Sequence, residues 1–556
     1  MNSKCISSTV GKMKAREAAF AVLLILILSI SGLAATKNAQ VVAKHGMVAS
    51  AHALASQAGV AILKAGGNAI DAAVAAAFAI GVVEPNASGL GGEGMMLIYR
   101  ADKRTAVAID YRSAAPATAK FSSGIPATGH AAVAIPGTVA GLTAALREFG
   151  TMKLAQVLAP AIKLAEDGFV VSPTLASIIV ENFEEITKNE ALAAVFCPGG
   201  LPLEAGAMLK NPDLGRSLRK VAAGGPDVFY RGELADAITA EVAAHRGFLS
   251  KADLASYRAI KREPVRGSYR SYDLISAPPP VGGMSVIEIL QILEHFDLSK
   301  NPPLSPVNVH LMAEAMKRGF ADFGAFVADP EFVKVPLAGL LSLDYARARA
   351  AEISPDRITA KVTAGDPEKH SGGSTTSLAT VDRRGNMVAL TQTISDFFGA
   401  KVLIAGTGII LNNEMKNFSS RGINAMAPGK RMRTTISPTI ILKGHKTFAA
   451  LGTPGAARII STMVLLASNL LDYKMPIQEA IEAPRFYARD NDAQLYVEGR
   501  LPAGTLELLK KMGYSIQEQG DYDLFFGGAQ GIIIDPRTGL RIGGADPRRD
   551  GAVLGY

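Results

Sequence analysis

Residues Ala69 to Val83 make an unbroken helical stretch that is apolar almost all round. A helix without a polar face has to be covered on every side, so the chain must hold it beneath at least one further layer. Its boundaries are marked. Gly66-Gly67 stops a preceding helix over Gln57–Lys64, and Asn68 is a suitable N-cap for the next. Met95–Arg100 and Ala106–Tyr111 read as strands, and Thr138–Phe149 returns to helical period. The C-terminal third changes character. Strand-like runs Thr376–Asp382 and Met387–Ser395 flank the turn Arg383-Arg384-Gly385-Asn386, and two further hairpins join Thr439–Leu442 to Thr447–Leu451 and Gly531–Ile534 to Leu540–Ile542. Helical stretches Ser461–Asn469 and Thr505–Met512 lie among them. Apolar sheets flanked by helices predict a layered α/β sandwich.

The first of those hairpins opens on Ser371-Gly-Gly-Ser374-Thr375-Thr376-Ser377, a small, polar run that delivers a threonine to the start of a strand. Taken alone it is an ordinary loop before a hairpin. If the Ser374–Thr375 bond breaks, however, Thr375 gains an α-amino group beside its own hydroxyl, and one residue becomes both nucleophile and general base. An α-amino group has a pKa of about 7.7–8.0, suited to that task at neutral pH.

The chain has 556 residues, 48% apolar and 19% charged, enough for a large core and too apolar for disorder. Lys4, Lys12, Lys14 and Arg16 precede an apolar run from Ala18 to Ile30 and the small-residue stretch Ser31-Gly-Leu-Ala-Ala35, which reads as a secretory signal peptide over residues 1–35. An uncleaved membrane anchor is the alternative, and without it no stable membrane span is expected. That segment contributes +3 of the formal +8, and the remaining charge is too diffuse to imply nucleic acid. Cys197 is then the single cysteine, so no intrachain disulfide forms, which fits bacterial export to the periplasm or cell exterior.

Several familiar chemistries lose support. Gly89-Leu-Gly91-Gly92-Glu-Gly94 matches a dinucleotide-binding string but follows a helix and precedes a strand, the reverse of the required order. It is better explained as a turn with close backbone approach. No G-x-S-x-G, P-loop or H-E-x-x-H occurs, and no two histidines have metal-ligand spacing.

Motifs spread over nearly the whole chain resemble γ-glutamyltranspeptidases, self-cleaving N-terminal-nucleophile hydrolases. They include Gly46-Met-Val-Ala-Ser50, Gly66-Gly-Asn-Ala-Ile-Asp71, Gly89-Leu-Gly-Gly92, Ile109-Asp-Tyr-Arg112, Pro136-Gly-Thr-Val-Ala-Gly141, Pro278-Pro-Pro280, Leu411-Asn-Asn-Glu-Met415, Ser437-Pro-Thr439, Gly452-Thr-Pro-Gly455 and Ala545-Asp-Pro547. The resemblance implies a four-layer αββα fold and a precursor cut into a large chain, 36–374, and a small chain, 375–556, which stay associated. It implies Thr375 as the nucleophile for both the cut and acyl transfer from γ-glutamyl amides to water, an amino acid or a peptide. Gly455 and Ala456 would supply oxyanion N–H groups, and Thr393 would support the nucleophile. Arg112, Thr434 and Thr435 would hold the substrate's α-carboxylate, and Glu414 its amino group. No cofactor or metal is implied.

Departures from the family pattern bear on substrate. Asn417 stands for the usual aspartate beside the α-ammonium and Ser395 for a neighbouring asparagine. Losing that carboxylate removes a charged hydrogen bond of about 1.5–3 kcal/mol, so glutamyl and glutaryl groups are discriminated less. Between Asn417 and Arg431 runs only the short loop 418–430, without the family's longer lid or an aromatic gate, so an open acyl site accepting bulky leaving groups is expected. Ser377 and Glu93 replace a histidine and a glycine. The leading reading is a secreted γ-glutamyl hydrolase and transferase acting on glutathione-like amides; the alternatives are a glutaryl or N-acyl amide acylase and a non-catalytic γ-glutamyl-binding relative.

Overall fold

Helix Ala69–Val83 spans the residues its pattern predicts, and all of it is buried. Asn68 Oδ1 accepts from the Ile70 and Asp71 N–H groups, and Asp71 Oδ2 accepts from the Asn68 N–H, a reciprocal capping box. A computed structural model of the chain describes residues 39–122, 124–363, 374–489 and 493–556. The signal-like segment and the run Ser371–Gly373 lie outside the described residues.

Two seven-stranded antiparallel sheets form the centre. One runs, in spatial order, Ala552–Gly555, Met47–Ser50, Ser374–Val381, Met387–Ser395, Glu93–Arg100, Thr105–Tyr111 and Ile260–Arg262. The other runs Val41–Ala43, Arg541–Ala545, Gln530–Ile534, Lys446–Gly452, Thr439–Lys443, Tyr272–Ser276 and Val265–Tyr269. Helices Ala53–Lys64 and Ala69–Val83 cover the first sheet, and Gly283–Leu293, Ile459–Leu471 and Ile477–Glu482 flank the second. The result is the αββα sandwich.

The strand sequences follow from being sandwiched. Leu378, Val388 and Leu390 join the core beneath helix Ala69–Val83, while Ala379, Val381, Met387 and Ala389 join the core shared with the opposite sheet. A strand apolar on both faces cannot alternate with polar residues, which is why these segments read as near-continuous apolar runs. Thr380 Oγ1 ties the sheet to the helix by donating to the Ala69 carbonyl at 2.7 Å, and the Gln392 amide donates to the Ala77 carbonyl at 2.9 Å.

The Gly89–Gly94 turn links helix to strand, and its glycines are sites of close approach. A Cβ on Gly92 would fall on the Thr393 carbonyl oxygen, and one on Gly94 would lie 2.6 Å from the Thr391 carbonyl oxygen. Among the described residues no helix is long and apolar enough to cross a membrane.

Candidate active site

Thr375 lies at the start of strand Ser374–Val381, where the ladder is irregular. Ser374 pairs with Ser395 but Thr376 pairs with Gln392, so Thr375 faces a β-bulge containing Thr393 and Ile394. Ser395, at the end of the bulge, has φ of +80°. A non-glycine residue held there costs about 1–3 kcal/mol. The bulge is stabilised by the Ser395 N–H, which donates to Thr393 Oγ1 at 2.8 Å. Thr375 itself is 5% exposed, and its carbonyl oxygen accepts from Arg549 Nη1 at 3.0 Å. Arg549 also reaches Glu84 at 3.4 Å. Burial pushes the Glu84 carboxyl up to about 7, with Arg549 pulling the other way.

A pocket opens against Thr375. Its walls include Thr393, Ser395, Glu414, Asn417, Thr434, Thr435 and Ala456, so seven of the expected site residues converge with the threonine, joined by Arg433 and the apolar Phe323, Ile436 and Ile459. The wall passes from Asn417 to Arg433 with no contribution from residues 418–432. That loop folds on itself instead. Lys430 Nζ donates to the Ile423 and Ala425 carbonyls at 2.6 and 2.8 Å, and Phe418 is buried beside Met415 and Met432.

The polar residues divide into committed and available groups. Asn417 Nδ2 donates to Ser395 Oγ at 3.1 Å and to Glu414 Oε2 at 2.8 Å. Thr435 Oγ1 donates to the Ala456 carbonyl at 2.5 Å. Thr434 Oγ1, by contrast, is buried with no hydrogen-bond partner among the described residues. Arg112 is fully buried and absent from the pocket walls. It is ion-paired to Glu93, and its Nη2 lies 3.4 Å from Glu414 Oε2. Burial lowers the guanidinium to about 10 while Glu414 raises it. Glu93, unexplained from sequence, therefore has a definite partner, and its Oε2 also accepts from the Ser113 N–H at 2.6 Å. Ser377 is buried beneath Gly452 of the opposite sheet, and nothing in its surroundings explains the replacement of a histidine.

Gly455 and Ala456 stand at the head of a 3-10 turn, Ala456–Arg458, that runs into helix Ile459–Leu471. Gly455 has φ of +133° and Ala456 +51°. Among the described residues neither N–H meets an acceptor. Unsatisfied N–H groups at a helix start form a site for negative charge. Gly455 does not itself line the pocket.

One cluster elsewhere carries metal-ligand types: His130, Glu241 and His245, with ligating atoms within 4.8 Å of one another. The two imidazoles are stacked, with ring centroids 4.2 Å apart and planes 7° from parallel. A ring nitrogen offers its lone pair in the ring plane, and parallel planes do not meet, so these side chains as placed do not converge on one ion.

Three residues that sequence reasoning passed over belong to the site: Arg433, Arg549 and Glu84. Arg433 adjoins the Thr434-Thr435 pair, and an arginine between Met432 and the threonines was a visible signal. Arg549 follows Ala545-Asp-Pro547 by two residues but lies far along the chain from Thr375, and Glu84 reads only as a helix end.

Residues 55–556 match the family model described as Gamma-glutamyltranspeptidase. The glutathione hydrolase proenzyme of Escherichia coli (strain K12) is 39% identical over 541 residues, covering 92% of each chain. The acylase ACY 1 proenzyme of Pseudomonas sp. (strain SE83) is 42% identical over 531 residues, covering 92% of this chain and 93% of its own. Among solved structures, a cephalosporin acylase from Bacillus halodurans superimposes with a TM-score of 0.87 at 33% identity, covering 95% of this chain and 98% of its own.

Proposed function

The chain belongs to the γ-glutamyltranspeptidase family, and from that premise we propose that it is an exported precursor which cuts itself between Ser374 and Thr375 and then uses Thr375 to transfer γ-glutamyl groups. The observation that carries this reading is the convergence of Thr375, Thr393 and the Ala456 turn on one pocket. Residues 1–35 would direct export to the periplasm or beyond, 36–374 would form the large chain and 375–556 the small chain.

In the precursor, Thr375 Oγ attacks the Ser374 carbonyl carbon, the peptide nitrogen leaves as the α-amine, and water opens the resulting ester. The freed amine then takes the Oγ proton as Oγ attacks the γ-carbonyl of a glutathione-like amide. Negative charge on the tetrahedral oxygen falls to the Gly455 and Ala456 N–H groups, where fixed donors lower the barrier most. The amine returns its proton to the leaving nitrogen, giving an acyl-enzyme, and water, an amino acid or a peptide takes the acyl group by the reverse sequence. Two contacts support preorganisation: Arg549 anchors the Thr375 carbonyl, and Thr435 anchors the turn through the Ala456 carbonyl.

Glutaryl or other N-acyl amide hydrolysis is the second reading. It is favoured by Asn417 Nδ2 being engaged with Ser395 and Glu414, where a free carboxylate would hold an α-ammonium. Turnover of γ-glutamyl and glutaryl p-nitroanilides decides between them: a γ-glutamyl preference above tenfold supports the transpeptidase, and equal or better glutaryl turnover supports the acylase. Absence of turnover of both in correctly cut protein would contradict both readings.

A further inference from the structure

We propose that the cleft where four hairpin turns meet, at the end of the sandwich away from Thr375, binds a small anion carrying several phosphate groups. Acyl transfer at Thr375 does not call for such a site, and the proposal stands independently of that reading.

Two of the turns come from each sheet: 101–104 and 382–386 from the first, 444–445 and 535–540 from the second. They bring Arg104, Arg383, Arg384, Lys443, Lys446 and Arg541, far apart in the sequence, around a cleft of about 510 Å³, a volume that fits a small molecule. None of the six cations has an ion-pair partner among the described residues. The wall holds one acid, Asp535, whose Oδ1 accepts from the Arg537 and Thr538 N–H groups. A cleft lined by one sign of charge focuses its field and concentrates counter-ions. Strand Ser374–Val381 leads from Thr375 to the turn holding Arg383, so at about 3.3 Å per residue the two sites lie about 25 Å apart, and they share no lining residue.

Exposed lysines and arginines alone would make no more than a solvated rim; Arg541 adds a floor. It is 9% exposed, its Nη1 donates to the Lys44 and Gly539 carbonyls at 2.9 and 2.7 Å, and its Nη2 donates to the Asp382 and Arg383 carbonyls, both at 2.9 Å. These bonds pin turns of the two sheets to one another, but carbonyls leave the charge in place. Nε is buried with no hydrogen-bond partner among the described residues. Asp382, the acid whose field reaches it, spends its oxygens on the Ala69, Arg384 and Asn386 N–H groups. Other buried arginines differ: Arg318, Arg431, Arg485 and Arg548 each face a carboxylate. A buried charge without a counter-ion is unfavourable, and an anion seated in the cleft supplies one.

Phosphate matches the density of charge. Six cations against one carboxylate leave a formal charge of +5 on the wall. A phosphate group carries about −1.5 to −2, so three of them balance the cleft, where five carboxylates would have to crowd into the same space. Guanidinium forks and ammonium groups both suit phosphate oxygens.

The test is titration calorimetry of the full-length protein with inorganic tripolyphosphate at low salt, which should show one saturable site per molecule. Arg384→Gln with Lys446→Gln should weaken binding at least about tenfold. Lys510→Gln with Lys511→Gln, an equal change of charge outside the cleft, should leave it within about twofold. Arg541→Met should weaken binding further; should it fail to fold, the Arg384 and Lys446 pair decides. Co-sedimentation with phosphatidylcholine vesicles containing phosphatidic acid, lost in that same pair, places the phosphate groups on a lipid surface, and tripolyphosphate binding without co-sedimentation places them on a soluble molecule. No saturable binding, equal weakening by the two pairs of substitutions, or competition between tripolyphosphate and γ-glutamyl p-nitroanilide for turnover, which would put the anion in the acyl pocket, overturns the proposal.

Discussion

Glu84→Gln should change how stability responds to pH, because Glu84, which shares Arg549 with the Thr375 carbonyl, holds its proton unusually firmly. Its carboxyl is raised from 4.5 to about 7, first by burial, and then moderated by Arg549 and Thr376. Each pKa unit corresponds to 1.36 kcal/mol, so a shift of this size is about 3 kcal/mol. The sign follows from linkage. The folded state keeps the proton between pH 4.5 and 7 while the unfolded state loses it, so the folded state binds more protons and stability falls as pH rises. The cost is absent below pH 4.5 and fully present above pH 7. Glutamine retains the shape and cannot titrate. Urea unfolding of the uncut Thr375→Ala chain, with and without Glu84→Gln, at several values between pH 4.5 and 8.5 isolates the effect. The Arg549 contact to residue 375 is through its backbone carbonyl and survives in this background. The free-energy difference between the two proteins should move by about 3 kcal/mol in favour of Glu84→Gln as pH rises. Parallel curves, or a change of opposite sign, would refute the reasoning.

Asp71→Ala should destabilise by about 3 kcal/mol or more, read as a lower urea midpoint, because Asp71 caps its own helix and also accepts from the Thr151 N–H and Oγ1 and the Met152 N–H. Gly92→Ala should block self-cleavage in an intact-mass assay, since the added methyl meets the Thr393 carbonyl within the bulge facing Thr375. Ala456→Gly should retain oxyanion donation while relieving the left-handed backbone at φ of +51°, raising stability by about 1 kcal/mol; a lower urea midpoint would contradict a cost at that position.

Much of the sandwich was legible because its buried elements are long and their ends chemically marked. Helix Ala69–Val83 and strand Met387–Ser395 occupy the residues their patterns predict. Strands Val41–Ala43, Met47–Ser50 and Ala552–Gly555 were not read, because each is four residues or fewer and exists through a partner far along the chain. Strands Val265–Tyr269 and Tyr272–Ser276 owe their places to the same kind of pairing. The Thr375 hairpin was legible from its turn, but its bulge was not, since a register shift leaves no mark in a run apolar on both faces. The resemblance named Arg112, Thr434 and Glu414 without revealing that Glu93 occupies the first of them. That is a consequence of side-chain pairing between a strand residue and one just past the end of the neighbouring strand, 19 positions apart in sequence. Arg433 gained meaning only from the pocket it lines.

The identity of the cut bond tests the central claim most directly. Intact mass and N-terminal sequencing of the purified full-length protein should give two chains, the smaller beginning at Thr375, while Thr375→Ala should remain one chain and hydrolyse no γ-glutamyl anilide. A small chain beginning at any other residue, or cleavage that persists in Thr375→Ala, would contradict the assignment of Thr375 as nucleophile.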